Sequence, residues 1–316
     1  AADSFGTVLN EISGKSFGMD WPRWVEWYGT TDYVPPYGFA RWKGELLAEY
    51  SGHDTLRRFL HKDMDARVRV EEIVWGGIAP DGIPPLESPT FVGADTDFYD
   101  PNEFVLGVSL GDDHRAYPLR IMNWHEMAND VIDGRPVSLA YCTLCGAGIL
   151  YDTTLFGGTP EEQILTFGTS GLLMRSNKLM YDRATESLWN QVTGEPISGV
   201  LANSSIRLDR LPITTSTWGE WKRLHPDTKI LSPDTGHARD YAPGKPYGGY
   251  FASDELMFPV WRRNDVLGDK ERVFALLLDG KAKAYPLDAL KTSVVHDALG
   301  DVPVVLILGD EAPETN

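Results

Sequence analysis

The chain has 316 residues, a formal net charge of −17 from 46 acidic against 29 basic residues, and two cysteines. That length allows a sizeable core in one or two domains, while the acidic balance argues against nucleic acid as a partner, because a phosphate backbone wants a basic stripe. No stretch approaches the roughly 18 to 20 uninterrupted apolar residues of a membrane span.

Residues 1–66 read as an N-terminal helical arm. The chain begins at Ala1 rather than Met, as would one whose signal peptide has been removed, or one simply trimmed. In Phe39 to Asp63, Trp42, Leu46, Leu47, Tyr50, Leu56, Phe59 and Leu60 recur at roughly helical spacing. The prolines of "YVPPYG" break whatever precedes them. From Val68 the texture changes to short apolar runs with turn signals, and residues 67–316 read as one β-rich domain. "PDGIPPLESPTFVG" is an extended loop. "EFVLGVSL", "GDD" and "HRAYPL" read as strand, tight turn and strand. "GRPVSLAYC" is a strand that delivers Cys142 at its end. "QILTFGTS", "LLMRSNKLMYD" and "SLWNQVTG" continue as strands; Gly168 and Gly171 permit tight turns or close backbone approach. "STWGEWKRLHPD" is a short helix with Ser216 as its N-cap. The fold class is mainly β (α+β).

The chain also repeats itself. Residues 104–141 resemble residues 272–308: Ala116-Tyr117-Pro118-Leu119 matches Ala284-Tyr285-Pro286-Leu287, Asn129-Asp130 matches His296-Asp297, and Pro136 matches Pro303. This predicts a duplicated β-rich unit forming one pseudo-symmetric body, with the Asn-Asp and His-Asp pairs at turns. Trp124-His125-Glu126 and the Cys142-Thr143-Leu144-Cys145 segment belong to the first copy alone. A scaffold whose second half folds without them did not need them for folding in its first.

Both cysteines lie three residues apart. A disulfide there closes a very small loop and adds little stability by chain entropy. The spacing suits a redox pair or a metal grip. His125 precedes Cys142 by one turn and one strand, so a hairpin would return it to the same strand end. Two thiolates and an imidazole form a soft set suited to copper, with zinc as the alternative. Met174 is the candidate fourth ligand, with Met180, Met127 or a water behind it; Glu126 and Asn129 are candidates to orient the histidine. Competing readings are a plain disulfide, a redox-active dithiol, inert buried thiols, and a structural histidine at 125. Asp182, Arg183, Glu186 and Trp189 form a dense polar-aromatic cluster that reads either as a substrate surface or, more simply, as a turn held by an Asp–Arg pair with Trp189 in the core. A phosphate loop is excluded by its missing Lys-Ser/Thr ending, and no Gly-x-Ser-x-Gly elbow is present. A calcium site from Asp234 and Asp240 fits no loop template.

"DGIPPLESPTFVG", "AYPLRIMNWHEMANDVIDGRPVSLAYCTLCGAGILYD", "FGTSGLLMRSNKLMYDRATESLWNQVTGEPISG" and "LSPDTG" resemble domain-of-unknown-function family 3179 over about Val68 to Leu308. The resemblance implies an exported protein (periplasmic, cell-surface or extracellular) and no particular reaction. One departure stands out: the family's Cys-Pro-x-Cys is here Cys142-Thr143-Leu144-Cys145. The expectation is an exported metal-binding protein with copper at Cys142, Cys145 and His125. Its role would be electron transfer, copper handling or copper-dependent oxidation, with a redox partner protein or a small-molecule substrate. The alternative is a non-enzymatic binding or surface-assembly module with a Cys142–Cys145 disulfide.

Overall fold

The structure, a computed structural model, describes residues 2–155 and 163–308. Strand takes 33% of the chain and helix 22%, so the protein is mainly β. It divides into two compact units: Ala1–Gly248 with Met257–Arg263, and Gly249–Leu256 with Asn264–Asn316. The helical N-terminal arm is no unit of its own. Its helices span Ala2–Ser13, Trp21–Gly29 and Phe39–Ser51, followed by a 3-10 turn at Asp54–Arg58. Leu56, Phe59 and Leu60 bury their side chains in one cluster with Ile73, Leu172, Met174 and Tyr181. That apolar face, rather than helix propensity, holds the arm down.

The first unit carries three five-stranded sheets. One contains the hairpin Phe104–Leu110 and Asp113–Pro118, flanked by Thr214–Thr217 and, in parallel, by Lys229–Leu231. A second is built on Met127–Ile132, Arg135–Cys142 and Ala147–Asp152, paired antiparallel in that order. The third is built on Phe167–Met174, Asn177–Asp182 and Leu188–Asn190. The strand Arg135–Cys142 is buried along most of its length, as a central strand covered on both faces should be.

In the second unit, Val273–Leu278 pairs with Lys281–Pro286 and Val295–Leu299 with Val302–Leu306. A helix at Leu287–Thr292 joins the two hairpins. Tyr285, Leu290 and Leu306 form its small buried cluster. The tail beyond Leu308 lies outside the described residues.

Local expectations fail at four points, the first being that Leu86–Glu87 and Phe91–Gly93 within "PDGIPPLESPTFVG" are short paired strands rather than loop. A helix at Leu119–His125 follows Pro118, where no helix was expected. Its apolar side chains Ile121 and Met122 are fully buried, so packing decides it. Asn129-Asp130 and His296-Asp297 lie inside strands, not at turns. The turn after the first pair is Asp133-Gly134, both at positive φ, the pairing that a tight hairpin turn demands. The N-cap of the helix Trp218–Leu224 is Thr217, whose hydroxyl accepts from the Glu220 N–H at 3.3 Å, so Ser216 is the residue before the cap.

Candidate functional site

Cys142 ends its strand, and Thr143–Cys145 turn once as a 3-10 helix before Gly146, in the left-handed region, sends the chain into Ala147–Asp152. This turn presents the two thiols differently: Cys142 is buried and Cys145 exposed. Their sulfurs lie 2.6 Å apart. Burial pushes the Cys142 thiol well up, and its hydrogen bond with Cys145 adds to the rise. The Cys145 thiol is pushed down, chiefly by that same hydrogen bond, with Asn177 contributing. The two sulfurs thus differ: the buried Cys142 holds its proton more tightly than a free thiol does, and Cys145 less tightly.

A polar brace fixes the outer sulfur. Asn177 donates from Nδ2 to Cys145 Sγ at 3.1 Å and to Gln191 Oε1 at 2.9 Å. Gln191 is fully buried, and its own amide donates to the Ala140 and Ala147 carbonyls at 2.9 and 3.2 Å. Those carbonyls belong to the two strands that flank the Cys turn. The inner sulfur faces a buried ion pair. Lys178 Nζ donates to the Glu126 backbone carbonyl at 2.6 Å and lies 3.7 Å from Glu126 Oε2. Both side chains are buried. Loss of water holds Lys178 down at about 8, with Glu126 and Cys142 opposing that effect. Burial raises the Glu126 carboxyl, with Lys178 as the counterweight. Glu126 has φ 57°, in the left-handed region, a conformation that costs a non-glycine residue about 1 kcal/mol. That twist ends the helix Leu119–His125 and lets neighbouring residues 125 and 126 serve different surroundings.

Glu126, Cys142 and Lys178 line a cavity of about 70 Å³ with an apolar rim that includes Ile78, Ile83, Leu144, Tyr247, Met257 and Phe258. This is well under the roughly 300 Å³ at which pockets begin to enclose a drug-sized ligand. Gly171 is required beside it: at φ 72°, an added Cβ would lie 2.3 Å from the Ile78 carbonyl.

His125 looks elsewhere. Its Nδ1 lies 2.7 Å from the Pro84 carbonyl, which can only accept, so Nδ1 carries the proton. Nε2 then accepts from the Tyr241 hydroxyl at 2.5 Å, and Thr235 donates to Tyr241 in turn. Burial lowers its pKa to about 4, keeping the ring neutral. Both nitrogens are thus engaged, Nδ1 with Pro84 and Nε2 with the loop that carries Thr235 and Tyr241. Among the described residues, no group of three or more His, Cys, Asp or Glu side chains is placed to hold a metal ion. The expected trio of Cys142, Cys145 and His125 is not assembled here.

The remaining candidates also take other places. Glu126 faces Lys178. Asn129 donates to the Phe167 carbonyl at 2.8 Å and accepts from Ser138 at 3.0 Å, tying neighbouring strands together rather than orienting His125. Met174 packs in the cluster beneath the N-terminal arm. Asp182 accepts from the Thr185 N–H and hydroxyl and from Trp189 Nε1, and both Asp182 and Trp189 are fully buried. Arg183 pairs with Asp81 at 2.9 Å and Glu186 with Arg58 at 3.0 Å. These bonds tie the turn together through Asp182, while Arg183 and Glu186 lie at the surface.

Asn177, Lys178 and the role of Gln191 were missed. The strand Asn177–Asp182 is buried almost throughout, so alternation gave no sign that Lys178 points inward. A lysine flanked by "LMY" was the only cue.

A family model described as "Protein of unknown function (DUF3179)" matches residues 80–315. The chain belongs to that family. The match takes in the Cys turn, Glu126, Asn177, Lys178 and both repeat segments, and leaves the N-terminal arm outside. No curated protein and no solved structure matches the chain.

Proposed function

We propose that Cys142 and Cys145 form a thiol–disulfide redox centre that exchanges two electrons with a disulfide or dithiol of a partner. The observation that carries this reading is the asymmetry of the pair: one exposed sulfur, accepting from Asn177, in contact with one buried sulfur. The Cys145 thiolate attacks one sulfur of the partner's disulfide. A mixed disulfide forms, and the partner's other sulfur leaves as a thiolate. Cys142, once deprotonated, attacks Cys145 Sγ. The mixed disulfide breaks, the Cys142–Cys145 bond forms, and the partner's second sulfur leaves. The partner has gained two electrons and the centre has lost two. Stabilising the Cys145 thiolate favours the dithiol form, which makes the disulfide form the stronger oxidant. Such a pair suits an exported protein in an oxidising compartment. The small cavity directs the partner to Cys145 from outside, so a protein disulfide suits it better than an enclosed small molecule.

Residues 104–141 and 272–308 are read as a duplicated unit in which one copy alone acquired the chemistry. Thiol titration against redox buffers tests the proposal. Two thiols per chain that interconvert reversibly with one intramolecular disulfide support it. Permanent oxidation, or about one bound copper or zinc per chain with both thiols masked, overturns it in favour of the staple or the metal centre.

A further inference from the structure

The thiol-exchange reading leaves one chemical need unmet: Cys142 must lose its proton inside an apolar cavity before it can attack. We infer that the buried Glu126 carboxylate, held in place by Lys178, is the acceptor of that proton. The inference rests on the thiol-exchange reading and adds a residue to it.

Glu126 and Lys178 are buried ionisable partners, with Lys178 Nζ 3.7 Å from Glu126 Oε2. A buried ion pair is no strong source of stability, since the loss of hydration offsets most of the attraction. Clustered ionisable groups in a cleft mark functional sites more often than structural ones. Position supports the assignment. The pairing Met127↔Ala140 is followed by the Tyr141 N–H donating to the Glu126 carbonyl at 2.8 Å, which puts Glu126 across from Tyr141 and one residue from Cys142. Glu126, Cys142 and Lys178 line the same cavity. Its volume of about 70 Å³ has room for a water, which needs about 10–15 Å³ of such space, so one bridging water can carry the proton.

The other titratable groups facing this carboxylate are Lys178 on the strand Asn177–Asp182, Cys145 on the turn, and Tyr247 at the rim. Tyr247 is held up at about 12, by burial first and then by Glu126 and Cys142; it stays protonated and does not compete as a base. Lys178 is the counter-charge that opposes the rise that burial imposes on the carboxyl. Burial, by raising the carboxyl, brings it closer to the thiol it must deprotonate, which favours transfer. The step balances. The Cys142 proton moves to a Glu126 oxygen, the sulfur's electron pair forms the bond to Cys145 Sγ, and the partner sulfur leaves with the electrons of the broken bond. Glu126 then releases its proton to the leaving thiolate or to solvent.

The test uses the full reduced chain and an aromatic disulfide that releases a coloured thiolate. Wild type should release two thiolates in sequence, the first on attack by Cys145 and the second on attack by Cys142. In Glu126→Gln the second release should slow by about a hundredfold or more, far more than the first, and its dependence on pH should lose the lower of two inflections. Glu126→Asp, which keeps an acid but shortens its reach, should fall between. Equal slowing of both phases, or an unchanged second phase in a folded Glu126→Gln chain, overturns the inference while leaving the dithiol reading standing. If wild type itself releases only one thiolate and forms no internal disulfide, it is the dithiol reading that fails. Should Glu126→Gln not fold, Glu126→Asp and the wild-type pH profile decide: a second phase with a single inflection, unaffected by Asp, rules the carboxylate out.

Discussion

Residues 104–142 and 272–306 run through the same local structure. Each is a hairpin, a short helix beginning at Leu119 or Leu287, and a second hairpin. Each places a tyrosine hydroxyl on an aspartate: Tyr117 on Asp130 at 2.7 Å and Tyr285 on Asp297 at 2.9 Å. In both, the aspartate's other oxygen accepts the next residue's N–H at 2.8 Å. Their surroundings differ. The first region lies between further strands in five-stranded sheets, whereas each hairpin of the second is a two-stranded sheet among the described residues. The Ala-Tyr-Pro-Leu and Asp signals thus accompany one local shape in two regions, and the cysteines lie in the region whose strand end is buried. A thiol raised by burial beside one left exposed needs that enclosure.

The sharpest test of that contrast is Cys145→Ser. Thiol exchange should be lost by more than about a thousandfold, since the attacking sulfur is gone. The unfolding midpoint should move little, by about 0.5 kcal/mol or less for an exposed side chain. A large loss of stability would mean that the turn is structural after all.

Next comes the aspartate that both regions share. In the first, Asp130 accepts from Tyr117, which is fully buried, and from Arg115, which is nearly so. Asp130→Ala should cost about 2–3 kcal/mol in urea unfolding, because it leaves a buried hydroxyl without an acceptor. Asp113 still pairs with Arg115, which keeps the cost from rising higher. An effect no larger than that of Asp297→Ala would show that enclosure matters less than the local motif.

His125 separates the regions a third time. Its folded pKa of about 4 lies below its usual 6.5, so the unfolded chain binds the extra proton between those values. Its contribution is complete above pH 6.5 and is lost as pH falls towards 4, to a limit of about 3 kcal/mol. Unfolding measured at pH 7 and pH 5 should show part of this loss, and His125→Gln should remove it. A histidine that held metal would instead show its effect in metal content.

These cases mark what was legible in the chain. The strands around Cys142 were, because Gly and Asp punctuation brackets their apolar runs, and the thiol pair was, because its spacing is poor for a staple. The surroundings of the pair were not. His125 and Glu126 are adjacent in sequence, yet the left-handed turn at 126 sends one to Pro84 and Tyr241 and the other to Lys178. Sequence distance suggested that His125 returns to the cysteines; the hairpin instead returns Glu126. Lys178 and Gln191 reach the site from another sheet, and no local spacing encodes that meeting.

The smallest effect belongs to the half-buried aspartate of the second region. Asp297 is drawn down to about 2, first by Lys283, then by the Ala298 N–H and Tyr285. A lowered carboxylate contributes stability above its unfolded value near 3.8, and the contribution fades as pH falls from about 4 to 2. In the second unit the pair is open to water, which screens it, so Asp297→Asn should flatten the acid limb of that unit's unfolding curve only slightly and leave neutral pH nearly unchanged. Amide exchange across the hairpin Val295–Leu299 and Val302–Leu306, followed from pH 5 to pH 3, reads that unit separately. If the variant instead opened this hairpin at neutral pH, the tyrosine–aspartate motif would be holding the two-stranded unit together unaided, and enclosure would no longer explain why the two regions differ.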